Sequence, residues 1–176
     1  MDKGKLSMNK TLISALLLML ITCPAWAGPK LNDPAPTFSL RDSAGKEFYL
    51  SDVVGDEAKD KARGVILGFF ATWCTGCRNE LPIINSLVDE LNGKGIKVVM
   101  VDIKEDFDEI GAFLAELKVD KPIVLSDRYG KVMEKYQVRF LPTTYFIGSD
   151  GTVKDMIFGE ILDAKELRDS VKKLLK

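Results

Sequence analysis

Two cysteines separated by two residues, Cys74 and Cys77, have the types and spacing best suited to chemistry in this sequence. They follow the apolar run Val65-Ile66-Leu67-Gly68-Phe69-Phe70 and open a segment of helical periodicity. A helix N-terminus carries about half a positive charge and free N–H groups. Both stabilise a thiolate, the reactive form of cysteine, and Cys-x-x-Cys thiols in such settings titrate at about 3.5–7.5 instead of about 8.5. Cys74, at the helix mouth, is the expected exposed nucleophile. Cys77, one turn inside, is the expected resolving thiol of disulfide exchange. Competing uses of the pair can be weighed. A structural zinc site needs about four ligands, and a c-type haem link needs histidine directly after the second cysteine, where this chain has Arg78. A purely structural bridge stays open as a reading, although closing two residues constrains the unfolded chain little.

Composition narrows the field further. The chain has 176 residues, 46% hydrophobic and 29% charged, which suits one globular domain. Histidine is absent, which removes Ser-His-Asp and Cys-His catalysis, His-ligated zinc or haem, and histidine pH sensing. The net charge of −1 gives no basic surface for nucleic acid. No metal and no cofactor beyond the dithiol itself is expected.

Residues 1–27 read as an address. Lys3, Lys5 and Lys10 give a positive start, Leu12 to Ile21 an apolar core, and Ala25-Trp26-Ala27 a small-x-small cleavage site before Gly28. Met8 could be the true start. The alternatives are an uncleaved anchor, for which the run falls short of the ~20 apolar residues of a span, and lipidation at Cys23, which the bulk of Thr22 disfavours. Cleavage takes Lys3, Lys5, Lys10 and Asp2 from the 25 basic and 26 acidic residues, leaving a net charge of −3 on residues 28–176. It also leaves only Cys74 and Cys77. An exported chain meets an oxidising compartment, where two such thiols form a bridge or a redox couple. The expected location is periplasmic or otherwise extracytoplasmic, with membrane tethering through the N-terminal segment as the variant.

The elements that must position the dithiol are legible in outline. A Pro-rich lead-in (28–36) precedes two short strands, 37–40 and 47–50, around the turn Asp42-Ser43-Ala44-Gly45. A charged surface loop (52–64) leads to the buried strand 65–70. Leu81, Ile84, Val88 and Leu91 mark one face of the helix that Cys74 opens. Pro82 should kink it without ending it, and Gly93 and Gly95 stop it. A second buried strand (96–101), an amphipathic helix (105–118), a short strand (122–125) and a short helix (131–136) follow. Thr143–Ile147 and Thr152–Phe158 form a hairpin across Gly148-Ser149-Asp150-Gly151. Asp163 and Glu166 resemble a helix-starting cap for a last helix bearing Leu167, Val171, Leu174 and Leu175. This order implies an α/β fold, a central sheet with helices on both faces.

The stretch Phe69-Phe70-Ala71-Thr72-Trp73-Cys74-Thr75-Gly76-Cys77-Arg78-Asn79-Glu80-Leu81-Pro82 resembles the active-site segment of the thioredoxin superfamily, and its WCxxCxxExP pattern is similar to that of the exported TlpA/ResA-like branch. Tyr136 to Ile147, with Leu141-Pro142-Thr143, resembles that branch's cis-proline strand, and residues 102–125 match its central αβ insertion. The resemblance spans about residues 31–175. It implies a thioredoxin-like fold with a mixed sheet, an N-terminal β extension and a central αβ insertion. It implies that Pro142 is cis beside the dithiol, that the backbone at Leu141 pairs with an extended client peptide, and that Trp73 flanks the dithiol, where simple core packing is its alternative. It also implies a thiol–disulfide oxidoreductase working as a reductase on exported proteins, apocytochrome c among them. A membrane-bound thiol reductant would supply electrons, and the protein would act as a monomer.

Three departures and two acids stand out. Thioredoxins carry a buried Asp six residues before the first cysteine, and here that residue is Gly68. Glu80, three residues after Cys77, is the nearest carboxylate and the candidate to tune or deprotonate Cys77; its alternative is a solvated first-turn glutamate favoured by the helix dipole. Thr75 and Gly76 form the intervening pair that helps set the potential, with Gly76 where proline is common. Phe140 stands where the family often has a small residue, narrowing or greasing the client groove. Asp102 ends an apolar strand at the carboxyl edge of the sheet, where sites of α/β folds gather, but it reads more simply as the start of the 105–118 helix. Two other functions compete. A peroxiredoxin would need PxxxTxxC, and this chain has Leu67 and Ala71 in the Pro and Thr positions. A redox-inert binding module on the same scaffold would need no reactive thiolate.

Overall fold

The computed structural model describes residues 28–175. Residues 1–27, read from the sequence as an export signal, lie with Cys23 outside the described residues. The seven strands are β1 (Ser39–Arg41), β2 (Glu47–Tyr49), β3 (Gly64–Phe70), β4 (Ile96–Ile103), β5 (Ile123–Asp127), β6 (Thr143–Gly148) and β7 (Val153–Phe158). They form one sheet in the order β2-β1-β5-β4-β3-β6-β7. β3 pairs in parallel with β4, and β4 with β5, while β6 and β7 run antiparallel on one side and β1 and β2 on the other. The sheet is mixed and the fold thioredoxin-like, as the resemblance implied. The N-terminal hairpin β1–β2 docks on β5 through the pair Arg41↔Ser126.

The central strands are buried along their whole length. Every residue of β3 and β6 is buried, and β4 is buried at all positions but Lys97. That is why these strands read as continuous apolar runs without alternation. The helices are α1 (Thr75–Gly93), α2 (Phe107–Leu117), α3 (Lys131–Tyr136) and α4 (Ala164–Leu174). α1 buries Cys77, Glu80, Leu81, Ile84, Leu87, Val88 and Leu91, one face of the helix. The helix continues past Pro82 and ends at Gly93, with Gly95 at φ +75° turning the chain into β4. α4 starts as the sequence indicated, with Asp163 Oδ1 accepting the Glu166 N–H at 2.8 Å, and Glu166 reaching back to the Leu162 N–H. The lead-in is bound to the sheet: the Asn32 and Ala35 N–H groups donate to the carbonyls of Val153 and Gly151. Among the described residues no helix is long and apolar enough to cross a membrane.

One boundary is corrected. α2 begins at Phe107 after Asp106, so Asp102 does not start the helix. It is a fully buried residue of β4, paired across the sheet with Phe70 and Ser126.

Candidate active site

β3 ends at Phe70, and Ala71-Thr72-Trp73 carries the chain to the N-terminus of α1, where Cys74 is the capping residue with extended backbone. Its Sγ accepts the Cys77 N–H at 3.1 Å, so the sulfur takes the place a serine or aspartate oxygen holds at other helix starts. The two sulfurs are bonded to each other, with the Cα atoms 5.2 Å apart. Cys74 is 6% exposed and Cys77 fully buried, so Cys74 is not the exposed residue expected from the sequence: both cysteines are buried, and of the two only Cys74 borders the groove.

The Leu141-Pro142 peptide bond is cis. Pro142 packs on the dithiol turn: a Cβ added at Gly76 would stand 3.1 Å from Pro142 Cδ and 3.4 Å from Glu160 Oε2. The loop is fixed by the Gly159 N–H donating to Pro142 O and by Thr143 Oγ1 donating to Phe140 O. Between Trp73-Cys74-Thr75-Gly76 and Arg139-Phe140-Leu141 lies a groove of about 610 Å³, floored by Ile103, Met133 and Val138 and edged by Lys104 and Glu105. Trp73 and Phe140, 69% and 70% exposed, stand at its rim. Simple core packing does not account for Trp73. Phe158 and Leu162, also exposed, follow β6 and precede α4 on the same chain segment that meets Gly76 and Glu80.

The carboxylate question is answered by position. Glu80 is fully buried, one helical turn past Cys77 on the same face of α1. It is no solvated first-turn residue. Its Oε2 accepts the Ile161 N–H at 3.0 Å, and Oε1 has no hydrogen-bonding partner. Burial, assisted by the charges of Glu160 and Glu166 and opposed by the Ile161 bond, pushes it up to about 8. The thioredoxin acid is not merely absent at Gly68: a Cβ there would run 2.5 Å from Met100 Cε. The Met100 thioether fills that space.

A second buried acid lies on the other side of the dithiol. Asp102 Oδ1 accepts the Glu105 N–H at 3.2 Å, and Oδ2 meets no donor. Burial first, and then the neighbouring Glu105 carboxylate, push Asp102 up to about 8. A proton on Asp102 gives the pair a hydrogen bond to Glu105. Partial burial works to raise Glu105, but bonds from Asp102 and Thr72 outweigh it and hold Glu105 below the usual carboxylate range. Glu105 accepts from both Thr72 donors, N–H at 2.7 Å and Oγ1–H at 2.6 Å. Arg78 ties α1 to α2 through Glu116 at 2.5 Å and lies 4.9 Å over the Phe113 ring.

Of the residues singled out from sequence, Trp73, Cys74, Thr75, Gly76 and Leu141 line the groove. Pro142 adjoins the dithiol turn from the segment before β6, and Glu80 lies one turn further along α1 itself. The roles of Thr72, Glu105, Glu160 and the Ile161 N–H went unread. Only one signal pointed toward them, the position of Asp102-Ile103-Lys104-Glu105 at the carboxyl end of a central strand. Among the described residues no three potential metal ligands come together.

Comparison with known proteins agrees with this geometry. Residues 31–156 match the family model described as the AhpC/TSA family. The chain is 31% identical over 98% of its length to the thiol-disulfide oxidoreductase ResA of Geobacillus thermodenitrificans, covering 99% of that protein. It is 32% identical to ResA of Bacillus subtilis over 74% of the chain and 68% of that protein. Among solved structures, a thiol:disulfide interchange protein DsbE from Chlorobium tepidum superposes with a TM-score of 0.73 at 28% identity, covering 84% of this chain and 99% of that one.

Proposed function

The chain belongs to the AhpC/TSA family of the thioredoxin superfamily and is a thiol–disulfide oxidoreductase of the ResA/DsbE type, and from that premise we propose that it is exported and reduces disulfides of extracytoplasmic proteins. The observation that carries the mechanism is the fully buried Glu80, with one oxygen unpartnered, a helical turn from the buried Cys77.

In the reduced protein the Cys74 thiolate attacks one sulfur of a client disulfide. The client S–S bond breaks, one client sulfur leaves as thiolate and is protonated, and a mixed disulfide joins Cys74 to the client. Cys77 then loses its proton and attacks Cys74 Sγ. The Cys74–Cys77 bond forms, the second client sulfur leaves as thiolate and takes a proton, and the client has gained two electrons and two protons. Cys77 is buried, so it needs a nearby acceptor. Glu80, held near 8 by burial, is in part ionised at neutral pH, and that ionised fraction is the acceptor for the Cys77 proton.

The groove supplies the docking strip. An extended client segment lies along Leu141, whose backbone offers strand-like pairing, while Trp73 and Phe140 cover apolar client side chains. Thr75 and Gly76 hold the turn of the dithiol, and Pro142 closes its flank. Export rests on the signal-like segment 1–27, cleaved or kept as a tether. The relatives named ResA and the resemblance to the TlpA/ResA-like branch support apocytochrome c as a client and a membrane-bound thiol reductant as electron donor. The protein acts as a monomer through its own dithiol.

The deciding experiment is the reduction potential in glutathione or dithiothreitol buffers. A value near or below about −230 mV makes the protein a reductase that must be recharged, whereas −120 to −180 mV places it with oxidants and isomerases and overturns the direction. Absence of a reversible two-electron transition would leave a redox-inert binding module.

A further inference from the structure

The stretch Ala71-Thr72-Trp73 between β3 and α1 must hold Cys74 and the exposed Trp73 against the groove, yet the only hydrogen bond within the stretch's own backbone that reaches the site is the Cys74 N–H to Ala71 O at 3.1 Å. Its other fixing comes from 33 residues downstream. Both oxygens of Glu105 are engaged by Thr72, one by its N–H and one by its hydroxyl. Glu105 is itself tied at two further points, its N–H to Asp102 Oδ1 and its carbonyl to Ser126 Oγ at 2.9 Å. Asp102 and Ser126 are cross-strand partners in β4 and β5. The nucleophile's loop is therefore bolted to the rigid centre of the sheet through one carboxylate.

We propose that Glu105, oriented by the buried Asp102, is a positioning residue that holds Thr72-Trp73-Cys74 in register with the Leu141 strip, so that a client disulfide docked along the groove meets the Cys74 sulfur in line. The inference deepens the oxidoreductase reading above and rests on it. Its physical basis is that sulfur exchange requires the attacking sulfur to approach along the client S–S axis, and displacements near 1 Å at a reacting centre cost heavily. A docked peptide is held by the Leu141 strip and cannot follow a wandering Cys74, whereas a small alkylating reagent can.

The test uses the reduced protein, freed of reductant, and a cyclic disulfide-bonded peptide as probe. The rate at saturating peptide, the half-saturating concentration, and alkylation of Cys74 by iodoacetamide are measured for wild type, Glu105→Ala, Glu105→Gln and Thr72→Val. In Glu105→Ala peptide reduction should fall about tenfold or more, while alkylation stays within about twofold of wild type, since it needs no register. Glu105→Gln keeps an acceptor for the Thr72 N–H and a polar partner for the hydroxyl, and should recover most of the loss. Thr72→Val loses only the hydroxyl bond and should show a smaller drop of about fivefold with the same split between peptide and reagent; it carries the test if Glu105→Ala does not fold. Peptide reduction at the wild-type rate in both Glu105→Ala and Thr72→Val overturns the proposal. So does a Glu105→Gln as impaired as Glu105→Ala, which would make charge and not anchoring the cause, or alkylation that falls in parallel with peptide reduction. A wild-type protein that leaves the peptide oxidised overturns the oxidoreductase reading itself, and the inference with it.

Discussion

The two flanks of the dithiol each hold a fully buried carboxyl group with one oxygen unpartnered, yet their neighbours assign them different tasks. On the Cys77 side Glu80 meets one backbone N–H and no cation, so burial leaves it mostly protonated at neutral pH, and in the proposed mechanism its ionised fraction takes the proton of the thiol one turn away. On the Cys74 side Asp102 meets a second carboxylate. Two charges cannot share that space cheaply, so Asp102 stays neutral and its partner Glu105 stays ionised, free to grip Thr72. Identical chemistry in the two buried side chains thus leaves one beside a thiol, where we propose that it carries a proton, and the other beside a carboxylate, Glu105, that holds Thr72. The difference is decided by what each faces, and burial alone does not distinguish them.

The largest expected effect separates the two sulfurs. Cys74→Ser should abolish peptide reduction, whereas Cys77→Ser should still attack and then stall, accumulating a client adduct that mass spectrometry detects. Finding the stable adduct on Cys77 instead would reverse the assignment of nucleophile and resolving thiol.

Next in size is Glu80→Gln. Loss of the proton acceptor should slow resolution of the mixed disulfide by about a hundredfold at neutral pH. The wild-type rate should rise with pH as Glu80 ionises near 8, and the variant should lack that limb. Stopped-flow traces across pH 6 to 9 check both, and unaltered kinetics would reduce Glu80 to a structural acid.

The same comparison predicts a stability signature. Glu80 and Asp102 both titrate near 8 when folded and near 4 when unfolded. The folded state therefore holds protons that the unfolded state has released. Stability from these groups is complete below about pH 4 and is lost as pH rises through about 8, by an amount on the order of a few kcal/mol per group. Denaturant unfolding of the oxidised protein should show wild type weakening from pH 5 to 9, with Glu80→Gln flatter and Glu80→Gln with Asp102→Asn flatter still. If Asp102→Asn leaves the slope of the Glu80→Gln variant unchanged, the pairing of Asp102 with Glu105 is wrongly assigned.

The smallest effect belongs to the rim. Phe140 is 70% exposed, so Phe140→Ala should change stability by no more than about 0.5 kcal/mol while raising the half-saturating concentration of an apolar peptide. Titration with a charged and an apolar peptide distinguishes a greasy docking strip from an incidental surface ring.

Much of this arrangement was legible in the chain. The buried strands announced themselves as continuous apolar runs at 65–70 and 96–101, because a strand covered on both faces has no polar face to alternate. The face of α1 was readable from Leu81, Ile84, Val88 and Leu91, and the start of α4 from Asp163 and Glu166. What failed was read from local rules where a distant element decides. Asp102 looked like a helix start because helix-starting signals are local, but its burial depends on the two strands beside it. Glu80 could have been solvated until Ile161, 81 residues later, was seen to cap it.

The sequence by itself determined the chemistry: two thiols at one helix mouth, no histidine, one acid a turn beyond, and a strand–helix order that leads to them. These follow from spacing along a single element, where periods of 2 and 3.6 residues convert sequence distance into geometry. The tertiary structure alone decided which acids keep their protons and which surface is the groove. Charge state depends on desolvation and on neighbours across the sheet, so Glu80 against Ile161, Met100 in the space beside Gly68, and Glu105 on Thr72 became visible only when elements far apart in the chain were packed together.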